Sequence, residues 1–277
     1  MEYTTGERGG IVRIMAILLI IVGVIGVILT GKTFFDRKEV EDEVSLSSDR
    51  FEHIVVDGDM GNVQVIPSTS NNMEISWKGS LFSTGSTDEL VTIEENNTEL
   101  KVNIGKKRFF DFSFFNLNFR NKLQVYLYLP DKQFNSLVVK NNVGNTEIND
   151  IRVENLTTET DVSNLTIENV SANSIVAETD VGNLTLKDVQ GKVYAKSDVG
   201  NIMINVGEIQ DDMEITSNVG RVGLTVPEVP SNVTFNADSS VGNVRVFGER
   251  GSYINKNADY IVSMTTDVGN IRVNTKE

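Results

Sequence analysis

The feature that most constrains this chain is a tetrapeptide close to Asp-Val-Gly-Asn, which recurs along most of its length. Its copies begin at Asp59, Asn142, Asp161, Asp180, Asp198, Asn218, Ser240 and Asp267. From the second copy onward, the third residues lie 19, 19, 18, 20, 22 and 27 positions apart. A nearly constant period of this size is typical of an array in which one supersecondary unit repeats.

The residues around each copy alternate between apolar or small and polar. Before the third copy, Leu156, Thr158, Thr160 and Val162 fall on alternate positions, and alternation resumes with shifted parity after it. A period of two residues indicates a half-buried β-strand. Each copy is therefore predicted to form a corner between two strands that share an inner face. Glycine accepts the positive φ that such a corner needs, which gives these predicted corner residues: Gly61, Gly144, Gly182, Gly200, Gly220, Gly242 and Gly269.

Two architectures fit such corners, a parallel β-solenoid and an array of β-hairpins. Gly-Asn between two strands is also a hairpin signal, so the second architecture remains open. The solenoid is favoured because the same residue type returns at each position of the period, so that Val stacks on Val and Asn bonds to Asn. We predict an all-β fold, a parallel β-solenoid of about 20-residue repeats.

A single apolar segment precedes the repeats. Residues from Ile14 to Leu29 are uncharged, with Arg13 and Lys32 at the flanks. Such a segment predicts one N-terminal transmembrane helix, and a cleaved signal peptide is the alternative. Basic residues are nearly balanced across it, so charge does not decide the orientation. We expect a single-pass protein of the cell membrane with an extracellular C-terminal domain.

These patterns divide the chain into four parts. The predicted domains are a short N-terminal tail at 1–13, the transmembrane anchor at 14–31, a linker at 32–49, and the solenoid at 50–277. Residues 66–131 interrupt the period and form an irregular, aromatic-containing segment within the solenoid domain.

Composition excludes several classes of function. The chain has no Cys, one His and a net charge of −14, which excludes thiolate catalysis, zinc ribbons and sites that need two imidazoles. An acidic chain is also a poor nucleic-acid ligand. We expect no cofactor and no enzymatic activity. A carbohydrate-active β-helix is the enzyme alternative, but it needs paired carboxylates in a groove, and Arg221 and Arg245 near corners do not supply them.

Asp recurs at the first position of the tetrapeptide, at Asp161, Asp180, Asp198 and Asp267 among others. In a solenoid Asp161, Asp180 and Asp198 align along one edge, where a divalent cation could relieve their repulsion. The favoured alternative is structural, because Asp before a corner accepts backbone N–H bonds as an Asx-turn. These residues are therefore weak metal candidates, and no catalytic residue is predicted.

A basic, Phe-rich run lies within the irregular segment. We predict that it forms paired strands which cover one end of the solenoid. The alternative is an exposed surface that contacts lipid or a cell-envelope partner, because aromatic rings beside bases suit such an interface. The residues concerned are Lys106, Lys107, Arg108, Phe109, Phe110, Phe112, Phe114, Phe115 and Phe119.

The order of these features resembles a known family. An apolar anchor, DMGNVQV, the Phe-rich run, LQVYLYLP and repeated DVGN coils resemble the LiaG-like membrane-anchored proteins of Gram-positive bacteria, within the putative-adhesin family. The resemblance covers about residues 50–277. It implies a β-helical envelope domain linked to cell-envelope stress, and it brings no established catalytic residues.

The expected function is therefore non-enzymatic binding or sensing outside the membrane, with an envelope component or another protein as partner. A self-assembling surface scaffold is the alternative. The coil that contains DVGNIRVN is followed only by Thr275, Lys276 and Glu277, so we expect an uncapped solenoid end that could pair with another copy.

The fold prediction can be checked by far-UV circular dichroism of residues 45–277. The spectrum should be almost purely β, because no amphipathic helical period follows Lys38. A helix content above about a quarter would contradict the all-β prediction.

Overall fold

The computed structural model describes residues 19–20, 37–82, 90–105 and 123–276. The chain divides into two compact units, Met1–Val40 with Ser80–Thr87, and Glu41–Gly79 with Asp88–Glu277. In the first unit, the described residues are a helical pair at 19–20 and strand residues at 37–40 and 80–82. Within the described residues, no helix is long and apolar enough to span a bilayer. The predicted anchor at 14–31 lies outside them except for residues 19–20.

The strands form two sheets. In spatial order, one sheet contains β1 (Arg37–Ser47), β4 (Asn72–Phe82), β7 (Gln124–Leu129), β3 (Asn62–Pro67), β9 (Thr146–Asn149), β11 (Leu165–Glu168), β13 (Leu184–Lys187), β15 (Ile202–Asn205), β17 (Val222–Val226), β22 (Ile271–Thr275), β19 (Val244–Val246) and β20 (Glu249–Arg250). The other contains β18 (Val233–Val241), β21 (Tyr260–Val268), β16 (Met213–Val219), β14 (Gln190–Val199), β12 (Ser171–Val181), β10 (Val153–Val162), β8 (Phe134–Val143), β2 (His53–Met60), β6 (Glu99–Ile104) and β5 (Val91–Asn96).

Successive coils pair in parallel through both sheets. Leu156 of β10 lies opposite Ile175 of β12, and Leu165 of β11 lies opposite Leu184 of β13. Each coil thus contributes a long strand to one sheet and a short strand to the other. The prediction of an all-β fold with parallel strands is confirmed, and the parallel register excludes the hairpin array for these coils.

The core lies between the inner faces of the two sheets. In one coil, Ile175 and Ala177 of β12 and Leu184 and Leu186 of β13 are fully buried. The coils stacked on either side repeat this pattern, so the core is continuous along the array. Each fully buried Leu or Ile contributes roughly 1.5–3 kcal/mol. A single coil cannot bury its own inner face, so stacking supplies the stability.

The interrupted segment supplies one further layer at the start of the array. Strand β6 pairs in parallel with β2, and β7 pairs in parallel with β3. Two antiparallel strands flank this layer, β5 on β6 and β4 on β7. The interruption of the period thus reflects extra edge strands and a longer connection between β6 and β7.

At the other end, the spatial order of the coils departs from their order in the sequence. Strand β21 lies between β16 and β18, and β22 lies between β17 and β19. The prediction that the DVGNIRVN coil forms an uncapped end is therefore wrong. That coil is enclosed on both sides, because the chain returns after β20 and inserts a later coil beneath an earlier one.

The coil formed by β18 and β19 is the outer one, and aromatic residues cover part of it. Phe235 and Tyr253 exchange two backbone hydrogen bonds of 2.8 and 2.9 Å. The rings of Phe235, Phe247 and Tyr253 form a cluster with centroids 5.3 to 6.2 Å apart and edge-on geometry. Such pairs add stability beyond their buried area.

The inserted coil should behave as core. Met264→Ala, at a fully buried position of β21, is expected to lower the free energy of unfolding by about 2–5 kcal/mol. Val241→Ala, at a 64% exposed position of β18, is the control and should change it by less than about 0.5 kcal/mol. Chemical denaturation measures both, and a loss below about 1 kcal/mol for Met264→Ala would show that the coil is not enclosed.

Candidate functional site

The recurring tetrapeptide forms one edge of the array, and with the residue before it we call this edge the corner ladder. Its members are Ser or Thr, Asp, Val, Gly and Asn in most coils, and Thr179, Asp180, Val181, Gly182 and Asn183 represent one coil. Val181 ends β12 and Leu184 begins β13, so the chain changes sheet at Gly182 and Asn183. Equivalent corners lie directly on one another.

Two constraints require glycine at these corners: the close approach of the neighbouring coil and the backbone conformation of the corner itself. A Cβ at Gly182 would lie 1.7 Å from the carbonyl oxygen of Ser163, and one at Gly200 would lie 1.7 Å from that of Gly182. Both distances are far below any van der Waals contact. The φ angles of these glycines are 155° and 159°, a region that L-residues rarely adopt. Any side chain here forces neighbouring corners apart.

The predicted corner glycines do not all share one reason for being glycine. A positive φ of 132° to 159° occurs at Gly61, Gly144, Gly182, Gly200 and Gly220. Gly242 and Gly269 lie outside that region, but an added Cβ would lie 1.6 and 1.7 Å from the neighbouring carbonyl oxygens. Gly61, in the first coil, has its nearest obstacle at 3.3 Å. Crowding between coils is therefore the more general requirement in the later coils.

From Gly182 onward, a hydroxyl three residues before the corner glycine bonds to the neighbouring corner. Ser197 Oγ donates to the Gly182 carbonyl at 3.3 Å, and Ser217 Oγ donates to the Gly200 carbonyl at 3.2 Å. Thr266 and Ser239 repeat the bond at 3.2 and 2.9 Å. The alternation of residues placed these side chains inside, but it did not reveal this bond. The signal was the recurrence of Ser or Thr at that position.

The asparagines form a hydrogen-bonded ladder. Asn183 donates through its backbone N–H and its Nδ2 to Asn164 Oδ1, at 3.1 Å each. Asn201 repeats both bonds to Asn183, at 3.2 and 3.0 Å. Arg221 replaces Asn in the next coil, and its backbone N–H donates to Asn201 Oδ1 at 3.0 Å. The ladder therefore satisfies the corner amides and leaves the remaining Nδ2 hydrogens at the surface.

The valines of the ladder are exposed, which corrects the prediction that Val162 and its equivalents point inward. The inward alternation ends at the Ser or Thr, because the chain turns at the corner before the next inward position. The exposed fractions are 47% to 64% for Val162, Val181, Val199, Val219, Val241 and Val268. The strand register places these side chains in one column that crosses six stacked coils.

The carboxylates of Asp161, Asp180 and Asp198 align in a second column beside the valines. Asp198 accepts a bond from Asn218 Nδ2 at 3.1 Å and lies 3.4 Å from Lys196 Nζ. Its hydrogen bond and charge raise the pKa of Lys196 above the usual value. Across the described ranges, no group of three or more His, Cys, Asp or Glu residues could hold a metal ion. The hydrogen bond from Asn218 to Asp198 runs between coils, whereas an Asx-turn bonds within its own coil.

A second corner, which was not predicted from the sequence, closes the other side of three coils. Asp150, Asn169 and Asp188 have φ angles of 56°, 53° and 48° at the ends of short strands. Asn169 Nδ2 donates to Asp150 Oδ1 at 2.9 Å. Asn and Asp tolerate the left-handed region better than other L-residues. The available signal was Asx followed by Val or Ile, six residues after Gly144, Ser163 and Gly182.

A shallow depression of about 440 Å³ lies beside this second corner. Asp131, Lys132, Phe134 and Arg152 contribute to its lining. Arg152 forms an ion pair with Asp131, and Lys132 Nζ donates to the Ser48 carbonyl at 2.6 Å. Both cations are thus engaged by the protein itself.

The single histidine lies on the outer face of β2. His53 Nδ1 and Ser136 Oγ are 2.8 Å apart, across neighbouring strands. A nucleophilic triad also needs a carboxylate that orients the imidazole. Among the described residues, no carboxylate forms a hydrogen bond or ion pair with His53. The pair therefore reads as a contact between strands.

The basic, Phe-rich run, from Lys106 to Phe119, lies outside the described residues, but its two ends are placed. Strand β6 ends at Ile104 and β7 begins at Gln124, and this layer stacks on β2 and β3. In the β2–β3 coil the same connection is one residue, Gly61. Residues 106–122 are therefore an insertion at the corner ladder position of their layer.

Fold and corner geometry define a class of stacked parallel β-coils with glycine corners. The chain belongs to the Toastrack DUF4097 family, whose model matches residues 51–189 and again 134–274. No match was found among curated proteins.

Several solved structures are similar to the chain in fold. A "putative cell adhesion protein" of Clostridium sporogenes is 15% identical, with a TM-score of 0.36, and covers 86% of this chain and 100% of its own. A "putative adhesin" of Bacteroides fragilis is 17% identical, with a TM-score of 0.47 and coverages of 85% and 97%. A "putative lipid binding protein" of Parabacteroides distasonis is 10% identical, with a TM-score of 0.47 and coverages of 86% and 97%.

The crowding at the corners can be tested by single substitutions. Gly182→Ala and Gly200→Ala should each lower the free energy of unfolding by more than about 3 kcal/mol, because the new Cβ overlaps a neighbouring carbonyl oxygen. Gly207→Ala is the control, since a Cβ there meets nothing within 4 Å. Denaturant titration measures all three variants. Equal stability of Gly200→Ala and Gly207→Ala would contradict the stacked corner geometry.

Proposed function

We propose that this chain is a LiaG-like, membrane-anchored β-solenoid that binds or senses an anionic cell-envelope component outside a Gram-positive cell, without catalysis. The observation that carries the proposal is the insertion of residues 106–122 at the corner ladder position of the first layers. In repeat arrays, insertions within one repeat map to loops on one face, which is often the binding face.

The chemistry of the insertion supports an anionic ligand. Residues 106–122 contain five basic residues and one acidic residue, whereas the whole chain carries a net charge of −14. A basic segment on an acidic body draws anions to that segment and repels them elsewhere. The Phe residues add apolar contact area, which suits a lipid headgroup region or an amphipathic polymer.

The anchor and the orientation are parts of the same proposal. The apolar segment from Ile14 to Leu29 is long enough to span with snorkelling flanks, and placing the solenoid outside gives the insertion access to envelope anions. Protease digestion of intact cells tests the orientation. Cleavage of the solenoid domain in intact cells is expected, and protection until lysis would contradict it.

Binding by the insertion can be tested with two variants of the full chain. Phe110, Phe112 and Phe114→Ser, and separately Lys106, Lys107 and Arg108→Glu, should each reduce binding to anionic liposomes or to isolated cell wall by tenfold or more, on the order of 1.4 kcal/mol. Lys256→Glu, an exposed base in a distant loop, is the charge control and should bind normally. Binding is measured by co-sedimentation, and the loss should be mimicked by salt above about 0.15 M.

The melting temperature separates this proposal from the cap that the sequence favours. A contact surface keeps the melting temperature of the Phe variant near that of the parent. A cap would lose buried Phe residues worth roughly 1.5–3 kcal/mol each, and the variant would melt earlier. Normal binding by both variants, or a lower melting temperature with normal binding, would contradict the proposed function.

A further inference from the structure

The exposed valine column is an apolar surface that neither the fold nor the proposed ligand site uses. Six valines from consecutive coils contribute to it, each at least 47% exposed. They lie between a column that contains Asp161, Asp180, Asp198 and Asp267 and the asparagine ladder. We propose that this surface binds a second copy of the same chain, face to face and with the two solenoid axes parallel.

The repeat distance favours a second copy as occupant. Coils in a parallel stack are about 4.8 Å apart, so the valines recur at that interval. A helix or an extended strand laid along the column would present side chains at intervals of about 5.4 or 6.7 Å and would lose register within a few coils. A second valine column has the same interval over its whole length.

Charge determines the relative direction of the two copies. A two-fold axis along the column places the Asp column of one copy opposite the asparagine ladder of the other. Asp180 then faces Asn183, whose Nδ2 uses one hydrogen for the neighbouring coil and has a second to donate. The antiparallel arrangement instead places Asp opposite Asp, which is repulsive.

The coil that has Asn in place of Asp and Arg in place of Asn fits the same arrangement. At this level Asn218 stands in the Asp column and Arg221 stands in the asparagine ladder. In the parallel pair, Arg221 of one copy lies at the level flanked by Asp198 and Asp267 of the other. Arg221 is the only cation on the corner ladder within the described residues. In the parallel pair it lies near two carboxylates of the other copy, which stand on either side of the uncharged Asn218.

The contact is small, which fits association on a membrane. Six coils and the width of one corner give about 25 by 16 Å, or about 400 Å² per copy. A stable interface in solution needs about 800 Å² per partner. Two copies held in one membrane have a high effective concentration, which compensates for the small area. This part of the argument rests on the proposed anchor, whereas the pairing of the columns does not.

Crosslinking of the full chain in membranes tests the inference, because the protein has no native Cys. Val162→Cys, Val181→Cys, Val199→Cys and Val219→Cys are treated with a short bifunctional thiol reagent. In the parallel pair every valine faces its own equivalent, so all four variants should form dimers in similar yield. Met203→Cys, 44% exposed on the outer face of β15, is the control and should remain monomeric.

Three results would overturn the inference. Dimers from only one valine position indicate an antiparallel pair, and equal yields from the valine variants and from Met203→Cys indicate random collision. No dimer from any variant that sediments with the membrane removes the contact altogether. Protein that fails to sediment contradicts the anchor instead, and crosslinking in the soluble fraction is then scored by the same three criteria.

A charge variant tests the direction of pairing independently. Arg221→Glu in the Val181→Cys background should lower the dimer yield by about fivefold, because the new carboxylate faces Asp198 and Asp267 of the second copy. Arg245→Glu, an exposed base on β19, is the matched control and should leave the yield unchanged. An unchanged yield with Arg221→Glu would contradict the parallel arrangement.

Discussion

The close approach of one corner backbone to the next is the contact on which this structure depends. At Gly182, Gly200 and Gly220, the space that a Cβ would fill contains the carbonyl oxygen of the neighbouring corner. The same carbonyls accept hydrogen bonds from the buried hydroxyls of Thr179, Ser197 and Ser217, so the glycine and the hydroxyl depend on one another. The asparagine then bonds the outer amide of the adjacent coil. The recurring glycine, hydroxyl and asparagine of the repeat thus each stabilise or permit one part of that contact.

The tight corner also explains why valine lies at the surface. A strand that continued in extended form would turn the residue after Asp inward, but the chain changes sheet one residue later. The side chain is then left on the outside of the bend. A β-branched residue suits this position because it fits the extended backbone before the glycine without needing burial. The apolar column is in this sense a product of the corner, and the second copy is what we infer to cover it.

The sequence was sufficient for the fold class because period and alternation are local signals. It predicted parallel strands, the asparagine ladder and the interruption before Gly144. It misplaced Val162 because alternation holds only while the backbone is extended, and the pattern does not mark where extension stops. It missed Asp150, Asn169 and Asp188 because their shared spacing holds in only three coils and a single Asx after a short strand is common in loops. The spatial order of the outer coils could not be predicted either, because coils that share one motif cannot be told apart by their sequence pattern. The long spacing before Gly269 was the one sign of the inserted coil.

That insertion gives the array a fixed order of assembly. Strands β18 and β19 precede β21 and β22 in the sequence, yet each pairs with the later strand. The outer coil therefore has no strand to pair with until β21 and β22 have formed, and β16 and β17 present an open edge for the same interval. Until that point, the array has a gap one coil wide. A strand of matching register from elsewhere has access to that gap only until residues 260–275 pair with both of its sides.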